Sequence, residues 1–326
     1  MNKSDSERIA TILEKKGNKP AKDEKQANLI IINVCSIRQR VIDKIYGRAT
    51  SFKGKKVILT GCVLDRDKEK FNKIPWVDVK NFKEQSQIDL KSVKCFFETK
   101  PKYKFKKSAF IPIMEGCDNF CSYCAVPYTR GREFYRKEKN ILNEAKILIK
   151  KGFKEITLLG QNVNSYPDFP KLLEKIAKIP GNFKLTFMTS HPKDFSDELI
   201  NIIAKSKKIK NYVHLPVQSG DNEILKKMNR NYTREKYLKL IKKIRKKILG
   251  VEITTDIIVG FPGETKKQFQ NTVDLIKKSD FSLAYISRYS PRSGTAAEKL
   301  KNNISEEEKQ KRAKIIRETI NKINKN

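Results

Sequence analysis

The hydrophobic residues of this chain follow two patterns that alternate along it, short apolar runs and stretches with helical spacing. Apolar runs at Leu29–Cys35, Val57–Cys62 and Trp76–Val79 predict three strands, and the spacing within Ser4–Lys16 predicts a helix. Each of the first two runs ends at a cysteine. Because the carboxyl ends of parallel strands meet at one edge of a sheet, we expect these two cysteines to lie close together.

From Phe110 onward, strands and amphipathic helices alternate regularly. Right-handed crossovers between parallel strands curl such a repeat into a partial (β/α)6 barrel, with functional groups at the carboxyl ends of the strands. The predicted strands are Phe110–Met114, Glu155–Leu159, Lys184–Met188, Tyr212–Leu215, Glu252–Val259 and Ser282–Ser287, with helices such as Lys171–Ala177, Glu223–Met228, Thr233–Lys247 and Lys266–Lys278 between them.

These patterns place the chain in the α/β class and divide it into three parts. Residues 1–95 are predicted to form a small N-terminal parallel α/β domain, residues 96–302 the barrel, and residues 303–326 a basic C-terminal helix. A length of 326 residues is sufficient for two hydrophobic cores.

The chain is strongly basic, with 71 Lys and Arg against 37 Asp and Glu and a formal net charge of +34. This excess is typical of nucleic-acid-binding proteins, although lysine spread over helix faces would also follow from a lysine-rich composition. Arginine is better suited to phosphate because its guanidinium makes bidentate contacts. The candidate RNA contacts are Arg130, Arg132, Arg136 and Arg292.

The sequence predicts a cytoplasmic protein without a membrane partner. No apolar run approaches the roughly 20 residues that a membrane span needs, and the first residues lack the apolar segment of a signal peptide. Cysteines are normally reduced in the cytosol, so the six cysteines of the chain favour metal binding over disulfides.

Three cysteines, Cys117, Cys121 and Cys124, form a Cys-x3-Cys-x2-Cys run directly after the first barrel strand. Three thiolates from one loop can hold three irons of a [4Fe-4S] cluster and leave the fourth iron without a protein ligand. A zinc site would need a fourth ligand, and the two histidines, His191 and His214, lie far downstream. A redox Cys-x2-Cys pair would leave the first cysteine without a role. We therefore predict an open iron–sulfur site, with zinc or buried thiols as alternatives.

Polar residues and glycines follow the next four barrel strands where these end. Each position alone is also typical of an ordinary turn, and His191 and His214 could equally be turn or core imidazoles. Together, at one edge of the sheet, they predict a cofactor-binding surface beside the cysteines. The candidates are Gln161, Asn162, Ser190, His191, Gln218, Gly260 and Glu264.

The cysteine run, with Tyr123 before its last cysteine, resembles the signature of radical S-adenosylmethionine (SAM) enzymes. From Met1 to about Leu300 the chain resembles the radical SAM methylthiotransferases, and among them the branch that acts on dimethylallyladenosine in tRNA. The segments that carry this resemblance are residues 33–38, 60–63, 114–121, 127–133, 159–166, 189–194, 214–220, 256–264 and 289–295.

The resemblance implies that C2–H of N6-dimethylallyladenosine, next to the anticodon, becomes C2–S–CH3. Two SAM molecules would be used, one as methyl donor and one as the radical source at the cluster of Cys117, Cys121 and Cys124. A second [4Fe-4S] cluster would be held by Cys35, Cys62 and a third cysteine. The implied partners are the tRNA anticodon loop and an external electron donor, and a monomer is expected. No residue is assigned a catalytic role beyond the cluster ligands.

The sequence departs from the family pattern at both ends. The first cysteine of the second cluster would lie two residues upstream of Met1, so we expect a start assigned too late, a fragment, or a cluster that is incomplete or recruits Cys95. The family's C-terminal β-barrel, which binds tRNA, has no counterpart in the printed sequence, and weaker RNA affinity is expected.

Other functions stay open at this point. A related methylthiotransferase would act on threonylcarbamoyladenosine in tRNA or on an aspartate of a ribosomal protein. The remaining alternative is a cluster-binding or RNA-binding protein without turnover.

Overall fold

The computed structural model describes residues 1–35, 39–79, 97, 99–103 and 107–324, without the side chains of residues 39 and 40. Two sequence predictions lie outside this range, the recruitment of Cys95 and the part of the family resemblance at residues 36–38. No helix in the described residues combines the length and the apolar character that crossing a membrane requires.

The N-terminal region is a three-stranded parallel sheet with helices on both faces. The strand order is β1-β2-β3. Within β2, Val57 and Leu59 face a core shared with α2 and α3, while Ile58 faces Ile9 and Ile12 of α1. The elements are α1 (Asn2–Lys15), β1 (Leu29–Val34), α2 (Gln39–Thr50), β2 (Lys56–Gly61), α3 (Asp65–Asn72) and β3 (Val77–Val79).

The predicted closeness of the two strand-end cysteines is confirmed. Val34 pairs with Gly61 in the parallel register, so Cys35 and Cys62 leave the sheet side by side. The Cys62 N–H donates to the Val34 carbonyl oxygen at 3.0 Å.

The second region contains six parallel strands that form the predicted partial barrel. The strand orders are β4-β7-β8 and β9-β10-β11, and a parallel bridge between Leu185 and Ile209 links the two halves. The six barrel strands are β4 (Ser108–Pro112), β7 (Glu155–Leu159), β8 (Lys184–Phe187), β9 (Tyr212–His214), β10 (Glu252–Val259) and β11 (Leu283–Arg288). The region also contains two short antiparallel strands, β5 (Met114–Glu115) and β6 (Phe134–Tyr135).

Amphipathic helices cover the outer face of the barrel strands and share one core with them. Four of the longer helices begin at a side chain that accepts a backbone N–H, namely Ser196, Thr233, Thr265 and Ser305. The helices are α4 (Val126–Arg130), α5 (Glu138–Lys150), α6 (Phe169–Ala177), α7 (Asp197–Lys205), α8 (Asn222–Lys227), α9 (Arg234–Lys247), α10 (Lys266–Ser279) and α11 (Glu306–Ile323).

A short hairpin between β5 and β6 departs from the sequence prediction. The apolar run at 110–114 was expected to form one strand, but β4 ends at Pro112, and Met114 pairs instead with Tyr135 in an antiparallel ladder. The connection between these two short strands contains all three cysteines of the run. The hairpin therefore fixes both ends of the cysteine loop against the barrel.

Candidate functional site

The cysteine loop begins at a backbone turn that only glycine can make. Gly116 has a φ of 79°, and a Cβ there would overlap the carbonyl oxygen of Arg132 on the returning chain. The Cys117 N–H donates to the Gly131 carbonyl at 3.3 Å. Two reciprocal hydrogen bonds also join Asp118 and Glu133. The Glu133 N–H donates to Asp118 Oδ1 at 3.0 Å, and the Asp118 N–H donates to Glu133 Oε1 at 3.3 Å. The loop is therefore closed at its base.

The end of α8 holds the outer part of the loop. The Ser122 N–H donates to the Met228 carbonyl at 3.0 Å, and its hydroxyl donates to the Lys227 carbonyl at 2.8 Å. Asn229 Nδ2 donates to the carbonyls of Asn119 and Phe120 at 3.1 and 3.0 Å. These bonds cross from one strand end of the barrel to another, so the cysteine positions are set by tertiary contacts.

The three cysteines are half-buried, and polar side chains approach two of the sulfurs. Burial raises the pKa of Cys117, and it raises the pKa of Cys124 to about 12. Arg230 Nη1 lies 3.6 Å from the Cys121 sulfur, and Asn119 Nδ2 lies 3.4 Å from the Cys117 sulfur. Because a buried thiolate needs compensating positive charge, the site is suited to a bound cationic metal group.

The number of thiols in the loop bears on the kind of metal group that it could hold. In the described residues, no group of three or more His, Cys, Asp and Glu side chains is arranged to hold a single metal ion. A zinc ion would draw its thiolate ligands to about 2.3 Å from one centre. A [4Fe-4S] cluster takes each thiolate on a different iron, so its ligands lie farther apart. Three thiolates from one loop match the cluster, in which the fourth iron has no protein ligand, whereas a structural zinc site needs a fourth ligand.

The ends of β7 and β8 bring four of the predicted cofactor residues together. Asn162 is held by Asp194, since its Nδ2 donates to the Asp194 carboxylate at 2.9 Å, and the Val163 N–H donates to the Thr189 carbonyl at 2.9 Å. Four buried side-chain atoms here have no hydrogen-bond partner among the described residues: Gln161 Oε1, Asn162 Oδ1, Ser190 Oγ and His191 Nε2. Buried polar atoms are normally paired, so this group is suited to a polar ligand.

The imidazole of His191 is fixed as a neutral donor. Its Nδ1 accepts the Lys193 N–H at 3.2 Å, which leaves the proton on Nε2. Burial, followed by the charges of Arg230 and Lys193, lowers its pKa to about 2. His191 therefore offers an uncharged N–H at physiological pH.

The other three predicted cofactor residues have protein partners. Gln218 has a φ of 69°, and its backbone bonds to Asp256 and Ile258 of β10. Gly260 has a φ of 71°, and a Cβ there would overlap the side chain of Lys309. Glu264 Oε2 accepts the Gly260 N–H at 2.8 Å and Arg312 Nη1 at 2.7 Å. Gly260 and Glu264 thus attach α11 to the barrel, and a cofactor role for either stays a prediction.

The thiol of Cys62 contacts a buried arginine of the barrel. Arg130 Nε lies 3.0 Å from the Cys62 sulfur, and Nη1 donates to Glu115 Oε1 at 2.8 Å. Nη2 donates to Asn2 Oδ1 at 2.7 Å and to Asp5 Oδ2 at 3.0 Å. One guanidinium, 4% exposed, therefore joins the sheet-edge cysteine of the first domain to the residue before the Gly116 turn.

Three of the four arginines predicted to contact RNA are instead buried in ion pairs. Arg130 pairs with Asp5 and Glu115, Arg136 with Glu144, and Arg292 with Asp67. Their side chains are 3–7% exposed, so a phosphate could reach them only after these pairs had broken. The structure thus shows these three in protein ion pairs, and an RNA contact for them stays a prediction. Arg132, 72% exposed, stays available to a partner.

His214 is hydrogen-bonded within the barrel. Its Nδ1 lies 2.9 Å from Thr254 Oγ1 and its Nε2 3.2 Å from Asp256 Oδ2. The imidazole thus has a partner at each nitrogen, as a satisfied core histidine would. The structure therefore agrees with the interpretation of His214 as a core imidazole.

Two known domain families match separate segments of the chain. Residues 111–276 match the Radical SAM superfamily, and residues 1–80 match a family described as "Uncharacterized protein family UPF0004". The first match spans the cysteine loop and five of the six barrel strands.

Comparison with curated proteins decides the family. The chain is 42% identical to a "tRNA-2-methylthio-N(6)-dimethylallyladenosine synthase" of Clostridium botulinum (strain Okra / Type B1), with 99% of this chain and 80% of the relative covered. The chain belongs to this synthase family. The relatives of the same name in Clostridium tetani and Carboxydothermus hydrogenoformans are 40% and 41% identical, each over 99% of this chain. Membership of the synthase family confirms the predicted radical SAM methylthiotransferase and its cofactor class, a [4Fe-4S] cluster with SAM.

Solved structures confirm the fold of the synthase chain. The radical SAM methyltransferase TsrM of Kitasatospora setae aligns with a TM-score of 0.66 at 15% identity, covering 90% of this chain and 73% of that one. The cobalamin-dependent radical enzyme OxsB aligns with a TM-score of 0.55 at 12% identity, covering 98% and 50%. At these identities the likeness concerns the fold alone.

Sequence patterns did not identify three residues that the structure places at the site. Asn229 and Arg230 follow a short helix, where no spacing or motif marks them, and they contact the cysteine loop from another strand end. Asp194 lies in segment 189–194, which carries part of the family resemblance. Its position three residues after His191 was the only feature of the sequence that could have pointed to it.

Proposed function

We propose that this chain converts C2–H of N6-dimethylallyladenosine, adjacent to the anticodon of tRNA, into C2–S–CH3. The observation that carries the proposal is a loop of three thiols at the carboxyl edge of the barrel, bordered by buried polar atoms without partners among the described residues. Membership of the synthase family supports the same reaction.

Cys117, Cys121 and Cys124 are the residues that would hold the [4Fe-4S] cluster. With SAM, this cluster supplies the radical chemistry that an unactivated aromatic C–H requires. Such a C–H has no acidity that a side-chain base could use, so the proposal assigns no catalytic base to this step. We include the second cluster at Cys35 and Cys62, and the use of two SAM molecules, in the proposal.

The four unpartnered atoms are suited to the polar groups of SAM. Gln161 Oε1 and Asn162 Oδ1 are acceptors that an ammonium group would satisfy. The hydroxyl of Ser190 and the Nε2–H of His191 are donors for a carboxylate or for ribose hydroxyls. Each such atom costs about 1–3 kcal/mol while it is buried and unpaired, so a ligand that pairs them gains affinity.

Arg230 contributes fixed positive charge beside the thiols. Its guanidinium is held by the Pro216 carbonyl at 2.7 Å and the Tyr232 hydroxyl at 2.9 Å, with Nη1 directed at Cys121. A donor to a ligating sulfur stabilises its negative charge and tunes the metal group that it holds. Because the guanidinium does not lose its proton, this contribution is independent of pH.

The tRNA, the electron donor and the location belong to the same proposal. Bases of an anticodon loop are single-stranded and can be presented to a buried site at low cost. A net charge of +34 attracts RNA without sequence preference. A tRNA substrate implies a cytoplasmic location, and we propose that the chain works as a monomer with an external electron donor.

The test is anaerobic reconstitution with iron, sulfide, SAM and dithionite, followed by incubation with tRNA that carries N6-dimethylallyladenosine. Mass spectrometry of the nucleosides should then show a gain of a methylthio group on this base. Cys121→Ala should abolish product, whereas Arg317→Gln, at an exposed arginine of α11, should retain it.

Three results would contradict the proposal. Methylthio groups could be found only on threonylcarbamoyladenosine, or only on an aspartate of ribosomal protein when ribosomes replace the tRNA. Alternatively, cluster-loaded protein that forms no 5′-deoxyadenosine would indicate a binding protein without turnover.

A further inference from the structure

An exposed tyrosine ring, a half-buried phenylalanine ring and an exposed arginine lie together beside the cysteines. We name Phe120, Tyr128 and Arg132 the aromatic–arginine patch. Tyr128 is 52% exposed and the Arg132 side chain is 72% exposed. Among the described residues, Tyr285 is the other tyrosine that is exposed to this degree. Arg132 is already a candidate RNA contact from the sequence, whereas nothing so far uses Tyr128.

The patch is ordered by contacts among its own members. The guanidinium carbon of Arg132 lies 5.1 Å from the centre of the Phe120 ring, within cation–π distance. The rings of Phe120 and Tyr128 meet edge to face, with centres 6.2 Å apart and planes at 84°. Arg132 Nε also pairs with Asp118 Oδ1 at 3.0 Å. The rings and the guanidinium are therefore held in place at the surface before any partner binds.

The backbone of Phe120 is strained. Its φ is 46°, in the left-handed region that costs a bulky L-residue about 1–2 kcal/mol. Asn229 stabilises this conformation by donating to the Phe120 carbonyl at 3.0 Å. Strain of this kind persists where the surrounding structure enforces it, and it is concentrated at functional sites. Here it places an aromatic ring between the first two cysteines of the loop.

The chemistry of the patch selects the class of partner. Unpaired nucleic-acid bases stack on exposed aromatic rings and on guanidinium planes, and Arg132 has further N–H groups that can reach a phosphate. A purely apolar partner would have to desolvate Arg132, and an acidic peptide would not use the face of Tyr128. The basic charge of the chain agrees with a nucleotide.

We propose that the aromatic–arginine patch is a stacking site for a nucleotide next to the modified adenosine in the anticodon loop. The base stacks on the exposed faces of Tyr128 and Arg132, and Arg132 contacts its phosphate. This inference rests on the proposed function, because it places the flanking nucleotide beside the cysteines that would hold the cluster. It adds recognition by aromatic stacking to the electrostatic attraction of the basic surface.

The experiment compares Tyr128→Ala, Tyr128→Phe and Arg132→Gln in the reconstituted enzyme. Tyr128→Ala should raise KM for an anticodon stem–loop by about 5-fold to 100-fold, with a smaller effect on kcat, because stacking on one ring contributes to binding at that level. Tyr128→Phe keeps the ring face and should stay near the wild-type KM. Arg132→Gln should weaken binding and lower the slope of log affinity against log salt by about 1.

A direct readout of stacking comes from 2-aminopurine placed at the flanking nucleotide. Its fluorescence should be quenched on binding the wild type and Tyr128→Phe, and less so on binding Tyr128→Ala. Arg66→Gln is the matched control, since Arg66 is 74% exposed and has a comparable surface pair with Glu298 at 3.6 Å. This variant should match the wild type in KM and in salt dependence.

Two outcomes would overturn the inference: an unchanged KM and unchanged quenching in Tyr128→Ala, or an equal loss in Tyr128→Phe and Tyr128→Ala. Failure of the proposed function is recognised separately, because wild-type protein would then form no methylthiolated nucleoside. The affinity and fluorescence measurements on the stem–loop test the patch even in that case.

Discussion

Arg230 illustrates how much of the site depends on one side chain that carries no sequence signal. Its three polar contacts, with Cys121, Pro216 and Tyr232, connect the cysteine loop to the end of another strand. A buried guanidinium is stable only when such acceptors surround it. The surrounding acceptors come from separate segments, so the role of Arg230 follows from the fold.

Replacing Arg230 should affect both stability and the metal site. Arg230→Gln leaves the Pro216 carbonyl short of a donor and should lower the free energy of unfolding of the apoprotein by about 1–3 kcal/mol. It should also change the electron paramagnetic resonance spectrum of the reduced cluster, because a donor to a ligating sulfur is lost. Arg230→Lys keeps the positive charge but loses the planar array of guanidinium donors. Its stability and its spectrum should therefore lie between those of the wild type and Arg230→Gln. The exposed control Arg317→Gln should stay within about 0.5 kcal/mol of the wild type in urea unfolding. Equal spectra for wild type and Arg230→Gln would contradict this role.

His191 should make the apoprotein less stable in mild acid. Its folded pKa is lowered to about 2 by burial and by Arg230 and Lys193, whereas an unfolded histidine has a pKa near 6.5. Below pH 6.5 the unfolded chain binds a proton that the folded chain does not, so stability falls as the pH falls. The loss attributable to this residue is about 2 kcal/mol at pH 5 relative to pH 7.

The measurement for His191 is urea unfolding of the apoprotein between pH 5 and pH 8. His191→Asn should reduce the slope of stability against pH in this range, whatever its effect on stability at pH 7. An unchanged slope in the variant would show that another group causes the acid sensitivity.

Between elements, the decisive contact is the one that the end of α8 makes with the cysteine loop.

Apolar runs were sufficient to predict the strands, because a strand buried on both faces is recognisable from its composition alone. The β5–β6 hairpin could not be predicted in this way, since each of its strands has two residues. The bonds from Ser122 and Asn229 join residues about 105 to 110 positions apart, a separation that local pattern does not reveal.

Two substitutions at Asn229 separate these bonds from backbone strain. Asn229 has a φ of 55°, so Asn229→Gly loses only the side-chain bonds, while Asn229→Ala also places an unfavourable residue in the left-handed region. Both should accelerate iron loss from reconstituted protein under air. Asn229→Ala should be less stable than Asn229→Gly by about 1 kcal/mol in thermal or urea unfolding. If both variants kept iron as long as the wild type, the contact would not be holding the loop.

For the whole molecule, buried ion pairs join the N-terminal sheet region to the barrel. Arg130 contacts Asp5 and Cys62 on one side and Glu115 on the other, and Arg292 pairs with Asp67 of α3. These contacts bring Cys62 and the base of the Cys117 loop to opposite sides of one guanidinium. The arrangement explains why arginines that look available to RNA in the sequence are buried in the structure.

Removing Arg130 should destabilise the chain far more than removing an exposed arginine. Arg130→Gln removes the buried guanidinium that pairs with the carboxylates of Asp5 and Glu115 and should cost about 3–5 kcal/mol in the free energy of unfolding. Arg66→Gln removes a surface pair of similar charge and should cost about 0–1 kcal/mol. Urea unfolding of the apoproteins measures both. Similar losses in the two variants would contradict the burial of the Arg130 network.

The sequence by itself determined the α/β class, the six barrel strands, the two strand-end cysteines and the three-cysteine run. Each of these depends on local periodicity or on spacing within one segment, which the chain displays directly. Tertiary structure alone decided that Arg130, Arg136 and Arg292 are buried while Arg132 is exposed, and that Arg230 contacts Cys121. Burial and pairing depend on which distant segments meet, and neither composition nor spacing contains that information.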